Sequence, residues 1–239
     1  MKKAIIMGNG PSLKELDFEK LKDSKIPTYA TNRIAGLCKK KEWHPDYYCV
    51  FFSSPHQGSR LITPAGEIKD YSSGDKNEAY SAQKDIEYLC NHESTECYVH
   101  DWYRYFLKGD YKNVNFTTPR LWNRFEEFPI GIMDKHSAPN NFLWWIATTS
   151  LFQLCVYHNV DTIGLIGIDG YNLDVKNNHY EGYKGSDPGS MARSNKKIKR
   201  QHDVISDYLK RKNITAYNMS PNSIVDNYPN ISFKSFLKL

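Results

Sequence analysis

Three short runs carry residue types suited to holding a phosphorylated ligand and moving a proton. They are Gly8-Asn9-Gly10-Pro11-Ser12, Gly167-Ile168-Asp169-Gly170-Tyr171 and Asn178-His179-Tyr180-Glu181-Gly182-Tyr183. Glycine lets backbone approach a ligand closely. Pro11 presets a first helical turn, and the free N–H groups of a helix start attract phosphate. The third glycine of the dinucleotide fingerprint is missing, and a strand-to-helix turn without a ligand would read the same way. His179 stands in a polar run, where an imidazole can take a proton near neutral pH. A surface histidine is the plainer alternative, since the chain has 8. Tyr171 suits either a hydrogen bond to an anionic leaving group or packing at a loop. Asp169, Asp174 and His179 have metal-ligand chemistry, but their spacing matches no metal motif, so no metal is expected.

The elements that must position these residues follow from the apolar pattern. Ala4–Met7 reads as a first strand, running into Gly8. Leu13–Lys22 reads as a helix, with Ser12 as N-cap and Glu15 completing a capping box. Thr28–Thr31 is a second strand ending at Asn32. Tyr47–Phe52 is a third, buried strand, ending at Ser53-Ser54-Pro55. Gln57 to Asp75 is polar and turn-rich. Ala79–Asn91 reads as helix and Glu96–Val99 as strand. Trp102 to Pro129 is irregular and aromatic-rich. Asn141–Asn159 reads as helix and Thr162–Ile166 as a buried strand ending at Gly167. Asn195–Lys212 is a long helix. Ile214–Asn218 is a last strand, followed by Ser220-Pro221-Asn222-Ser223.

Strands alternating with helices predict an α/β fold with a mostly parallel sheet and helices on both faces. Polar loops then follow five strands at Gly8–Ser12, Asn32, Ser53-Ser54, Gly167–Tyr171 and Ser220–Ser223. In a parallel sheet those loops share one rim, where ligands bind. The expected organisation is one domain over residues 1–239. It carries a lid or acceptor-shaping insertion within 100–140 and a flexible loop near 172–195.

Composition narrows the function classes. No apolar run approaches the roughly 18–20 residues of a membrane span. The apolar stretch Ala4–Met7 is too short for a secretory leader. The 5 cysteines are scattered, without a C-x-x-C pair. That pattern predicts reduced thiols in the cytoplasm and gives no zinc signal. A net charge of +5 suits an anionic small ligand, an anionic membrane face or nucleic acid. The basic run Arg193–Arg200 reads as a solvated helix face, and no nucleic-acid motif surrounds it. No Asp-x-Asp pair, Walker loop or Gly-x-Ser-x-Gly elbow is present.

The segment Lys2-Lys3-x-Ile5-Ile6-x-Gly8-Asn9-Gly10-Pro11-Ser12-Leu13-Lys14-Glu15 closely resembles the start of the bacterial sialyltransferases of glycosyltransferase family 42. The likeness continues through Asn32, Gly167-Ile168-Asp169-x-Tyr171, Asn178-His179-Tyr180-x-Gly182 and Pro221-Asn222-Ser223. The resemblance implies a Rossmann-like, GT-A-like domain with a small lid. It implies an inverting transferase that needs no metal or other cofactor. The donor would be a CMP-activated acidic sugar, such as sialic acid, and the acceptor a surface glycan. Carried over, Gly8, Asn9, Gly10 and Ser12 would hold the cytidine monophosphate, and Asn32 and Ser53 would help place the donor. Gly167 and Asp169 would belong to the same pocket. Ser220, Pro221, Asn222 and Ser223 would contact the nucleotide. Thr148 and Thr149 would meet the sugar carboxylate. Tyr171 would hydrogen-bond the departing phosphate, and His179 would be the base.

The chain departs from the family at two points. Asn177 stands where a second leaving-group tyrosine is usual, so Tyr180 or Tyr183 would have to substitute. The C-terminal extension that associates members with membranes is almost absent. The resemblance still implies a cytoplasmic enzyme with peripheral contact to an anionic membrane face and a homo-oligomeric assembly. Two other function classes share parts of the pattern. One is a nucleotide-dependent pyrophosphokinase resembling a pterin group, and the other a non-catalytic nucleotide-sugar or glycan-binding module.

Overall fold

The computed structural model describes residues 1–32, 34–50, 60–62, 68–70, 84–105, 107, 109–117, 120–121, 143–144, 147–170 and 188–239. Its strands are β1 (Lys3–Met7), β2 (Thr28–Thr31), β3 (Tyr47–Val50), β4 (Arg60–Ile62), β5 (Ile68–Asp70), β6 (Glu96–His100), β7 (Val114–Thr117), β8 (Arg120–Leu121), β9 (Leu143–Trp144), β10 (Thr162–Ile166) and β11 (Thr215–Asn218). Its helices are α1 (Phe18–Ser24), α2 (Ala35–Lys41), α3 (84–90), α4 (Ala147–Tyr157), α5 (Pro188–Arg211) and α6 (Phe233–Lys238).

Seven strands form one sheet in the order β11-β10-β1-β2-β3-β6-β7, and every pairing in it is parallel. This is the α/β, Rossmann-like architecture that the alternating pattern predicts. Strands β1 and β10 are buried on both faces, which is why they read as continuous apolar runs. One face carries α4 and α5 over Ile6, Ile163 and Leu165. The other carries α1, α2, α3 and α6 over Ile5, Met7 and Val50. The chain runs outward from β1 through β2, β3, β6 and β7, then returns to place β10 and β11 on the opposite side of β1. Strand order therefore reverses between β1 and β10. A crevice opens outside the carboxyl ends of strands at such a switch point.

Several boundaries differ from expectation. The predicted helix Leu13–Lys22 is a 3-10 turn over Pro11–Glu15, followed by α1. Ser12 caps neither, because its hydroxyl turns inward. Asp17 caps α1 instead, accepting from the Lys20 N–H at 3.1 Å. Within the predicted helix Asn141–Asn159, Leu143–Trp144 is strand β9, paired in parallel with β8, and α4 covers Ala147–Tyr157. Asn159, left-handed at φ 56°, lies just beyond the end of α4. Helix α5 begins at Pro188, so residues 188–195 are helical rather than part of a flexible loop. Elements α2, β4, β5, β7 and α6 have no counterpart in the sequence reading.

Helix α6 closes the sheet beside the switch point. Phe236 is fully buried, and a Cβ placed on Gly164 of β10 would lie 2.9 Å from its ring. The ring therefore fills the space that this glycine leaves. Phe236→Ala should lower stability by about 3 kcal/mol in urea unfolding, as large-to-small core changes do.

Candidate functional site

The β1 and β10 loops are stitched together at this switch point. Gly8 N–H donates to Ile166 O at 2.8 Å, and Gly10 N–H donates to Gly167 O at 2.8 Å. Ser12 N–H and the Ser12 hydroxyl both donate to Asp169 Oδ2, each at 3.0 Å. The Ser12 oxygen in turn accepts from Gly167 N–H at 3.0 Å. It also lies 2.9 Å from Ser220 Oγ. Since the Ser12 proton goes to the carboxylate, Ser220 is the donor in that pair. One hydroxyl thus joins three strand ends, and its donor and both lone pairs are filled.

The β11 loop is tied in by the same means. Ser220 N–H donates to Asn218 Oδ1 at 2.9 Å, and Asn218 Nδ2 donates to Val225 O at 2.8 Å. The Ser223 hydroxyl donates to Ile168 O at 2.7 Å, and Ile224 N–H donates to Asp169 O at 3.0 Å. Glycine is required here for two different reasons. Gly167 and Gly170 have φ of 70° and 74°, a region other residues rarely enter. Gly8 and Gly10 are needed for space. An added Cβ would lie 2.2 Å from Gly167 O at Gly8, and 1.9 Å from Asp169 Oδ2 at Gly10.

This network occupies most of the N–H groups that the expected phosphate cradle would use. Through Gly8–Leu13, Pro11 has no N–H, and Gly8, Gly10, Ser12 and Leu13 all donate within the protein. Only the Asn9 N–H has no acceptor among the described residues. The Asn9 side chain donates through Nδ2 to Thr31 O at 3.0 Å, which leaves its amide oxygen without a described partner. Beside it Asn32 sits at φ 56°, and its carbonyl accepts from the Tyr48 hydroxyl at 2.6 Å. Asn9 and Asn32 therefore face the same rim from adjacent strands.

The named site residues fall into two sets. Ser12, Gly167, Asp169, Ser220 and Ser223 spend their polar groups holding the loops together. Asn9 and Asn32 are half-buried, and Pro221 and Asn222 are exposed. Thr148 and Thr149 are both buried at the first turn of α4, at the carboxyl rim, because α4 runs antiparallel to the β10 strand that follows it. Ser53, Tyr171, His179, Tyr180 and Tyr183 lie outside the described residues. Among the described residues, no three His, Cys, Asp or Glu side chains gather as a metal site would require. No described helix is long and apolar enough to cross a membrane.

No family model matches the chain, and no curated protein matches it. Among solved structures, the MAf glycosyltransferase from Magnetospirillum magneticum AMB-1 aligns with 98% of this chain at a TM-score of 0.52 and 14% identity. The chain spans about a third of that protein, 34% of its length. At this identity the likeness is one of fold. The chain has the α/β, Rossmann-like architecture of a known glycosyltransferase.

Proposed function

We propose that this protein is an inverting glycosyltransferase that moves sialic acid or a related acidic sugar from a CMP-activated donor to a surface-glycan acceptor. The observation that carries the reading is the switch point between β1 and β10, where ligands of such sheets bind. Loops of four neighbouring strands meet there, and Asn9 and Asn32 keep polar groups at its rim. A fold shared with a glycosyltransferase over nearly the whole chain supports it.

The chemistry follows from the leaving group. The acceptor oxygen attacks the anomeric carbon from the face opposite the phosphate. The bond between that carbon and the phosphate oxygen breaks, and CMP departs with the bonding pair. The proton of the acceptor hydroxyl passes to His179. A lone phosphate carries less charge than a diphosphate, so hydrogen-bond donors can stabilise its departure in place of a divalent ion. Asn9 N–H and the Tyr171 hydroxyl are the donors assigned to that task.

The test is transfer from a CMP-linked acidic sugar by purified protein in EDTA. Full activity is expected with the wild type. His179→Ala, with an unchanged melting temperature, should be slower by about 10²–10⁴-fold, the usual contribution of a positioned base. Activity only with ATP and Mg²⁺ would instead identify a pyrophosphokinase. A His179→Ala variant as fast as wild type would remove the histidine from the mechanism.

A further inference from the structure

Helices α4 and α5 cover one face of the sheet, and polar residues interrupt the stripe each of them buries. On α4, Leu151, Phe152, Leu154 and Cys155 are fully buried, and Thr148 stands one turn earlier on the Phe152 side. On α5, Ile198, Ile205, Tyr208 and Leu209 pack into the same cluster. Gln201 falls within that stripe, three residues after Ile198 and four before Ile205, and is 0% exposed. His202 is also 0% exposed. Its ring meets Phe152 edge-on at 5.9 Å, and its Nδ1 lies 3.0 Å from the Tyr228 hydroxyl.

Four polar atoms in this layer lack a hydrogen-bond partner among the described residues. They are both amide atoms of Gln201, Nε2 of His202 and Oγ1 of Thr148. Buried polar groups are normally paired, because leaving them bare is costly. A leucine at 201 would complete the apolar stripe at no such cost. The amide therefore points to an occupant.

The layer lies at the height of the ligand rim. Gln201 precedes the last residue of α5 by ten residues, about 15 Å of helix. The four residues of β11 that follow rise about 13 Å back toward the rim. Ile168 of the β10 loop packs in the same cluster. Higher on α5, Asn195 Oδ1 would lie 3.2 Å from a Cβ on Gly170. The helix therefore connects the crevice loop directly to the polar layer.

We infer that Gln201 and His202 form a specificity subsite for an uncharged polar substituent of the donor sugar, a hydroxyl or an acylamido group. The inference rests on the reading that a nucleotide-activated acidic sugar fills the crevice. Gln201 offers two donors and one acceptor, which complement an acylamido group. Burial holds the His202 imidazole neutral, with its pKa down to about 3, so Nε2 gives a single uncharged hydrogen bond. Thr148, Phe152 and Tyr228 bring no charge to the layer. A charged substituent would enter it uncompensated.

The test uses CMP-linked acidic sugars that carry an acylamido group, a hydroxyl or hydrogen at the same ring carbon. Wild type should prefer the polar-substituted donors over the hydrogen analogue by about tenfold or more in kcat/KM, the value of one well-made buried hydrogen bond. Gln201→Leu should erase that preference by lowering kcat/KM for the two polar-substituted donors to the level of the hydrogen analogue, and should raise the melting temperature. A purely structural glutamine would instead lower the melting temperature and impair all three donors alike, which would overturn the inference. Intact preference in Gln201→Leu would overturn it too, since the layer would then hold water alone. CMP supplies the control by thermal shift. If CMP stabilises both proteins equally while the preference survives the substitution, only this inference fails. If CMP does not stabilise the wild type, the donor reading fails and takes the subsite with it.

Discussion

Alanine at Gly8 is expected to abolish transfer and to lower stability by about 3 kcal/mol or more, at the upper end of what overpacking a well-filled site costs. The new Cβ would lie 2.2 Å from the Gly167 carbonyl oxygen and 2.8 Å from its carbon. Both are backbone atoms and cannot rotate away. The β1 and β10 loops would have to part, which would break the Gly8 N–H to Ile166 O and Gly10 N–H to Gly167 O bonds. Gly10→Ala makes an instructive companion. Its φ of −72° is open to any residue, so the objection is again spatial. Here the nearest obstacle is the Asp169 side chain at 1.9 Å, with the Gly167 oxygen at 2.8 Å behind it. Shortening Asp169 should therefore recover part of the stability lost in Gly10→Ala and none of that lost in Gly8→Ala. Urea unfolding of the single and double variants measures this difference.

The second large effect is expected at Asp169. Asp169→Ala removes the shared acceptor of the Ser12 N–H and hydroxyl, both buried. Each abandoned donor costs about 1–3 kcal/mol, so for the two a loss of about 2–6 kcal/mol is expected. The Ser12 hydroxyl would keep Gly167 N–H and Ser220 but lose its carboxylate acceptor, and CMP affinity should fall with stability. Asp169→Asn keeps one oxygen and should cost less. The discriminating variant is Ser12→Ala combined with Asp169→Ala. If the two side chains act as one staple, the double variant is no worse than Asp169→Ala alone, and the coupling amounts to about 1–3 kcal/mol. If Asp169 instead contacts the donor directly, Asp169→Ala should weaken CMP binding without changing the melting temperature.

Much of the fold was legible because β1, β3 and β10 are buried on both faces and read as unbroken apolar runs. Thr28–Thr31 was found to the residue. The elements that escaped are short or poorly patterned. Strand β7 is four residues long with one buried position, and α2 and α6 span only about two turns. The crevice itself was legible as a set of polar turns after strands. The division of labour within it was not. Ser12 and Asp169 meet across 157 residues of sequence. Serine and aspartate suit a ligand contact and a loop tie equally, so spacing alone could not separate the two jobs. Gly10 held a clue, since a residue with ordinary backbone angles needs to be glycine only where something presses on it. Gln201 held another, because an amide in the stripe Ile198–Ile205–Tyr208 breaks the helical period. The charged run Arg193–Arg200 beside it carries the stronger signal, that of a solvent face.

Calorimetric titration of the wild-type protein with CMP, in EDTA, tests most directly whether the switch-point crevice receives cytidine and one phosphate. Saturable one-site binding, undiminished by the chelator and lost in Gly8→Ala, is the predicted result. No heat with CMP, together with Mg²⁺-dependent binding of a nucleoside di- or triphosphate, would contradict it.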